Sequence, residues 1–506
     1  MAVRTNTAAN FVGQTYVATI ALIMLPLYLR ELGAEAYGLV GFFVMLQSWL
    51  RMLDMGLSPA AARQISHARG LSDAAYRETG ALVRAIESLF IGLAALSSII
   101  VWNVSPWIAA HWLHFRHLAL SEVTECVMLM GLAASLRWLA AFYRSAIQGM
   151  ERQVWLNGAN MVIATFRYFG ALMLLVWVTH DPRYFFGYEV GVSLGETALL
   201  NYGLHRLLPR TREQKQALSL APLTQILPFA AGTAYAALVW IVLTQADKLI
   251  LSHVLPLWEY GYFALVALIA GGLITLAGPV STAVLPRMTW LLAQGQGESM
   301  LALYRQSTQI VAVVVLPLSA LVAMLPRDVI FAWTGDHQAA RWAAPMLVWL
   351  ALGNAVLALN AFQYYLQYAH GKVAFHVMTS TVDVVIQTPV IVFAAYHFGA
   401  YGAALAWFIL RTVSFVVWSP IVHRIFAPGI HKKWLLQDIG PIAIASGISA
   451  VLAGTVRHML VGAGRFEVML VLASLAFGML VMSAMASSVC RPYLLRVLTR
   501  IGTAHG

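Results

Sequence analysis

Arg137, Arg144, Arg167, Glu196, Asp383 and Arg411 each interrupt a run of apolar residues long enough to cross a bilayer. A charged side chain at the bilayer centre costs about 2.5 to 3.5 kcal/mol on insertion scales, so such residues face a wet cavity or one another. Arg137 and Arg144 are seven positions apart and form a basic stripe down one helical face. Arginine offers five N–H donors in a planar fork and has no accessible neutral form, which suits a multi-charged anion such as a diphosphate in a partly desolvated site. The plainer reading has these arginines pairing with Glu196, Asp383 and carbonyls to hold helices together. Arg144, nearer its helix end, is also placed to snorkel to the surface.

Glu196 and Asp383 are candidate sites for a coupling proton or sodium ion, because a carboxylate in apolar surroundings can load and release a proton near neutral pH. Glu189 shares a face with Glu196, and Gln387 with Asp383. Arg51 and Asp54 have the spacing of a local helical pair. Asp247 and Lys248 are adjacent, so they point in different directions and need different partners, as a gate or a pairing between lobes would supply. Asn360, Gln363 and Gln367 follow three- and four-residue steps beside Tyr364, a polar and aromatic face that fits sugar hydroxyls or, equally, the joining of two helices.

The elements that carry these residues must be membrane helices. The 506-residue chain is 60% hydrophobic and 10% charged, where a soluble domain carries roughly 25% charged residues. An all-α polytopic fold of about 14 transmembrane helices follows, with apolar runs of about 20 residues from 11–29 to 467–488. An even count puts both termini on one side. The inner segments then hold most of the 32 Lys and Arg residues, among them Arg63, Arg69, Arg210, Arg212, Lys215, Lys432 and Lys433. That bias obeys the positive-inside rule and accounts for the net charge of +11 without nucleic acid. Ala34-Glu35-Ala36 resembles a signal-peptidase site, but Arg30 and Glu31 separate it from the apolar run, so the first span is expected to be retained. Ser58 to Thr79 reads as an interfacial amphipathic helix or a basic loop. Prolines such as Pro26, Pro279 and Pro389 fall within spans, as kinks permit. Cys126 and Cys490 suggest no disulfide framework. Phosphate-loop and zinc-protease signatures are absent, and His111, His114 and His117 read as one exposed loop face.

Internal repetition organises the chain. At a constant offset, Tyr37-Gly38 falls on Tyr260-Gly261, Leu32 on Leu255 and Ser58 on Ser281. Two six-helix lobes, 1–215 and 216–430, are expected to enclose a cavity, with 431–506 as an added helix pair and tail.

The runs L-R-E-L-G-A-E-A-Y-G-L at Leu29 to Leu39, D-M-G-L-S-P-A-A-A-R at Asp54 to Arg63, Q-G-M-E-R at Gln148 to Arg152, A-D-K-L-I-L-S at Ala246 to Ser252, L-P-R-M-T at Leu285 to Thr289, W-T-G-D at Trp333 to Asp336 and Y-Y-L-Q-Y-A at Tyr364 to Ala369 occur in an order and spacing that resemble bacterial polysaccharide transport proteins. These are the Wzx-type flippases of the multidrug/oligosaccharidyl-lipid/polysaccharide exporter (MOP) superfamily. The resemblance covers most of residues 10 to 430. It implies a bacterial inner-membrane protein with both termini cytoplasmic, which moves an undecaprenyl-diphosphate-linked oligosaccharide from the cytoplasmic to the periplasmic leaflet by ion-coupled alternating access. Membrane lipids and the polysaccharide polymerase machinery are the implied partners, and no cofactor is expected. Many relatives have twelve spans, so the last two here keep a lipid II flippase in play. A drug or cation antiporter of the same superfamily would need an acidic, aromatic cavity. A glycan polymerase or ligase would need a large outer loop, and none is present.

Overall fold

The computed structural model describes residues 2–71, 73–208, 221–460 and 462–503. The lobe boundary expected at 215/216 lies outside the described residues, as do Arg210, Arg212 and Lys215. The chain forms two compact units, Met1–Gly261 and Tyr262–Gly506. Eleven helices among the described residues are long and apolar enough to cross a membrane. Two of these each contain two of the expected spans: α1 (Ala2–Leu50) is broken at Gly33, φ 77°, and the long helix Val373–Phe426 at Gly399, φ 59°. Both breaks need a left-handed backbone that glycine adopts without the Cβ penalty. A further expected span, 184–205, is helical as Pro182–Leu207, but its charges lower its hydropathy below that of a plain apolar span.

In the first unit, α1 is followed by α2 (Leu57–Leu71), α3 (Asp73–Trp107) and α4 (Leu120–Gly149). Next come α5 (Gln153–Ala164), a π-helical turn at Thr165–Gly170, α6 (Ala171–Trp177), α7 (Pro182–Leu207) and α8 (Ala221–Val254). The helix α4 is central, packed against α7, α3, α2 and α1. Its Trp138 stacks on Phe90 with ring centroids 4.5 Å apart, in a core that includes Phe142 and Ile147. The segment read as an interfacial helix or loop forms α2 and the first turns of α3, but the apolar face of α2 packs on protein: Leu57, Ala60, Ala61 and Ile65 are buried in the same core. Gly149 permits that approach, since a Cβ there would lie 2.5 Å from the Ala62 carbonyl oxygen.

The repeated Tyr-Gly pairs also meet. A Cβ on Gly38 would strike the Leu257 carbonyl, and one on Gly261 would lie 2.7 Å from Ala34 O and 2.9 Å from Gly38 N. Glycine in both copies is therefore a packing requirement: the two backbones touch where any side chain would separate them.

The second unit continues α9 (Leu257–Thr275), which begins in the first, with α10 (Gly278–Ala293), α11 (Gly297–Met324), α12 (Pro326–Thr334), α13 (His337–Ala369) and α14 (Val373–Phe426). The short α15 (Ile430–Lys433), α16 (Gly440–Thr455), α17 (Arg465–Ala486) and α18 (Cys490–Thr503) complete it. Here α13 packs on α14, α11 and α12, and α11 packs on α16 and α17. Tyr304, Phe362 and Trp434 are fully buried together in the core of this unit.

Candidate functional site

The first unit gathers five charged side chains into one alternating ladder. Arg137 and Arg144 lie on α4, Glu189 and Glu196 on α7, with each pair seven residues apart. Arg137 pairs with Glu189 and Arg144 with Glu196, both across a sequence separation of 52. A constant separation means that the two helices run in the same direction, so their equal spacings come into register. Arg167 completes the ladder from the third side: its Nη2 donates to Glu196 Oε2 at 2.5 Å, and its Nε lies 3.5 Å from Glu189 Oε2.

Arg167 sits in the π-helical turn Thr165–Gly170, where the backbone ladder is loosened. Tyrosines take up carbonyls of that turn. Tyr28 Oη donates to Tyr168 O and Tyr188 Oη to Phe166 O, each at 2.7 Å, and Tyr16 Oη lies 2.7 Å from Thr165 Oγ1. In lipid an unsatisfied backbone group costs several kcal/mol, so this local irregularity needs those partners.

Neutral groups finish the ladder. Arg137 Nη1 donates to Gln47 Oε1 at 2.7 Å and its Nε to Ser193 Oγ at 3.2 Å, with Phe43 beneath the guanidinium at 4.8 Å. Arg144 Nε donates to Asn160 Oδ1 at 3.2 Å, so Arg144 turns inward to Glu196 and does not snorkel. Three arginines face two glutamates, which leaves one net positive charge. Arg51 lies close enough to Arg144 for their charges to repel, adding to the positive field. Glu196 is only 2% exposed while the Arg144 side chain is 31% exposed, making Arg144 the accessible end of the ladder.

Other expected pairings differ. Asp54 does not pair with Arg51; its carboxylate accepts from the Ser58 hydroxyl and from Ser58 N at 3.4 Å, tying down the start of α2. Asp247 and Lys248 were expected to seek different partners, yet Lys248 Nζ lies 3.2 Å from Asp247 Oδ1 and donates to Thr244 O at 2.7 Å. The flexible four-carbon lysine stem folds back along its own helix, which the divergence of neighbouring Cβ directions does not prevent.

In the second unit, the buried Arg411 guanidinium lies over Trp407 at 4.6 Å. Asp383 accepts from Ser414 Oγ at 2.7 Å and Trp418 Nε1 at 3.1 Å, all three on α14. Gln363 donates to Asn360 Oδ1 and to Ser419 Oγ, the latter at 2.6 Å, so this polar face joins α13 to α14. Gln367 is buried, and its Oε1 has no hydrogen-bond partner among the described residues.

Sequence reasoning placed Glu189 on the right face, as a lesser candidate for ion coupling beside Glu196 and not as a partner of Arg137, and it passed over Gln47, Ser193 and Asn160. Ser193 carried a signal, since it falls between Glu189 and Glu196 on one helical face. Another buried carboxylate, Glu87, was missed: it accepts from Tyr143 Oη at 2.9 Å, Asn201 Nδ2 at 2.6 Å and His205 Nε2 at 3.1 Å.

Three solved structures share this architecture. The lipid II flippase MurJ in an inward closed conformation superposes with a TM-score of 0.71 at 12% identity, over 95% of this chain and 98% of that one. An inward-facing multidrug resistance MATE family transporter of the MOP superfamily gives 0.61 at 13% identity, over 82% and 96%. A MOP superfamily transporter from Pyrococcus furiosus, described as having a binding pocket of reverse polarity, gives 0.55 at 13% identity, over 85% and 96%. The fold is thus that of the MOP transporters. No curated protein matches the sequence. The family model described as "Polysaccharide biosynthesis protein" matches residues 3–292, more than half of the chain. This multi-pass membrane protein belongs to the polysaccharide biosynthesis protein family.

Proposed function

We propose that the protein is a lipid-linked oligosaccharide flippase of the bacterial inner membrane, carrying undecaprenyl-diphosphate-linked repeat units of an O-antigen or exopolysaccharide to the periplasmic leaflet. The observation that carries this reading is the ladder of Arg137, Glu189, Arg167, Glu196 and Arg144, whose arginines outnumber its carboxylates inside the membrane. A diphosphate entering at Arg144 would exchange one anionic partner for another, so neither arginine nor carboxylate need be left buried and alone. Cation export would call for the opposite balance of charge. Arg411, on a separate unit, is a second candidate contact for the anionic headgroup.

Two lobes, 1–215 and 216–430, with 431–506 added and both termini cytoplasmic, belong to the same reading. The repeated Tyr-Gly pairs support that division. Coupling to a proton or sodium ion falls to Asp383, held by the neutral donors Ser414 and Trp418, since Glu196 would have to release two arginines first. Asn360, Gln363 and Gln367 are the candidate polar lining for sugar, and Gln367 has the unused acceptor. The lipid II headgroup is the second cargo to consider, because the likeness to the lipid II flippase extends over 95% of the chain.

The test is surface polysaccharide in a deletion strain complemented with wild type, Arg144→Glu or Arg411→Glu. Loss on deletion, rescue by wild type and no rescue by variants that insert normally would support the flippase. Intact surface glycans after deletion would rule out this cargo.

A further inference from the structure

At the end of the second unit where α11 begins and α17 gives way to α18, a cleft of about 490 Å³ opens. Arg305, Gln306, Ser488, Tyr493 and Arg496 give it polar walls, and Ala302, Val489 and Pro492 an apolar side. Its floor is built from buried groups. Asp438, 1% exposed, accepts from Arg305 Nε at 2.6 Å, from Arg305 Nη2 at 3.0 Å and from Gln309 Nε2 at 2.7 Å. Gln309 Oε1 in turn accepts from the Ser487 hydroxyl at 2.7 Å and from Val489 N at 3.2 Å, which fixes the turn into α18. Asp438 thus locks the Arg305 fork in place while Nη1 keeps no partner among the described residues. Gln306 is exposed and likewise has no side-chain partner there.

The surroundings say what kind of anion fits. The same end carries Arg424, Lys432, Lys433 and Arg491, a density of positive charge that draws anionic lipid. Beside the cleft, α18 exposes Tyr493, Leu495 and Arg496 together, the mixed apolar and basic surface of a helix lying in a lipid interface.

We infer that this cleft binds the phosphodiester of an anionic glycerophospholipid, with Arg305 and Arg496 on the phosphate and Gln306, Ser488 and Tyr493 on the glycerol hydroxyls. Bound lipid then clamps α18 to α11. The inference does not depend on the transported cargo.

The full-length protein, purified in detergent and stripped of lipid, is unfolded thermally with phosphatidylglycerol, phosphatidylcholine or inorganic phosphate added. Phosphatidylglycerol should raise the unfolding midpoint, and the other two should not. Gln306→Glu, which sets a negative charge in the cleft without breaking an ion pair, and Arg496→Gln should each weaken the phosphatidylglycerol response about fivefold, with lipid-free midpoints unchanged. An equal response to inorganic phosphate would assign the cleft to a soluble anion and overturn the lipid. A wild-type response in both variants would overturn the cleft as a binding site.

Discussion

Arg167 Nη2 lies 2.5 Å from Glu196 Oε2, and the other oxygen of that carboxylate is held by Arg144. One buried carboxylate therefore compensates two arginines from different helices. Removing it differs sharply from removing either arginine.

Glu196→Gln leaves Arg144 without a charged partner and Arg167 dependent on Glu189 alone. Breaking a buried ion pair from one side costs about 3 to 5 kcal/mol. Thermal unfolding in detergent should show a large drop for this variant. A midpoint near wild type would mean that the ladder is not a structural element.

Arg144→Gln should do the reverse. Arg167 still holds Glu196, and Arg144 is the most exposed of the three arginines. Surface glycan should fall by tenfold or more, while the unfolding midpoint moves by less than half the Glu196→Gln shift. Equal loss of stability in the two variants would count against a cargo role for Arg144.

Asp383→Asn keeps a side chain of the same shape that can still accept from Ser414 or Trp418. If Asp383 carries the coupling ion, transport into vesicles should persist down a cargo gradient but lose its response to an imposed pH or sodium gradient. An unchanged response to both gradients would move coupling elsewhere, with Glu87 the next residue to test.

Gly38→Ala would drive its methyl into the Leu257 carbonyl, which is backbone and cannot swing aside. Overpacking of this kind costs about 1 to 3 kcal/mol. The expected result is a lowered unfolding midpoint, whereas Gly92→Ala, facing open space, should leave it unchanged or raised.

At the start of α7, outside the membrane span, Asp181 accepts from Arg183 N at 2.8 Å and pairs with the Arg183 guanidinium, holding its carboxyl below the ordinary aspartate range. A depressed folded value means stabilisation that is present above the ordinary value near 4 and lost as pH falls through the folded value. Asp181→Asn should lower the unfolding free energy by no more than about 1 kcal/mol at pH 7, since the pair is partly solvated. The difference from wild type should vanish in acid.

Much of this was legible in the chain. Apolar run length dictates membrane helices because an unpaired backbone cannot cross lipid otherwise, and the equal seven-residue spacings of Arg137/Arg144 and Glu189/Glu196 carried their ladder in outline. The Tyr-Gly repeat marked its two positions without saying that they touch. What the tertiary structure decided is partnership. Spacing along one helix says which side chains share a face, but only packing decides which helix lies opposite, in which direction and at what register. The parallel pairing of α4 with α7 therefore brought Glu189 into the site. The same limit explains Asp54, drawn to Ser58 rather than Arg51, and Lys248, folded onto Asp247: where several partners lie within reach, the choice is made by the competition for hydrogen bonds in the folded chain.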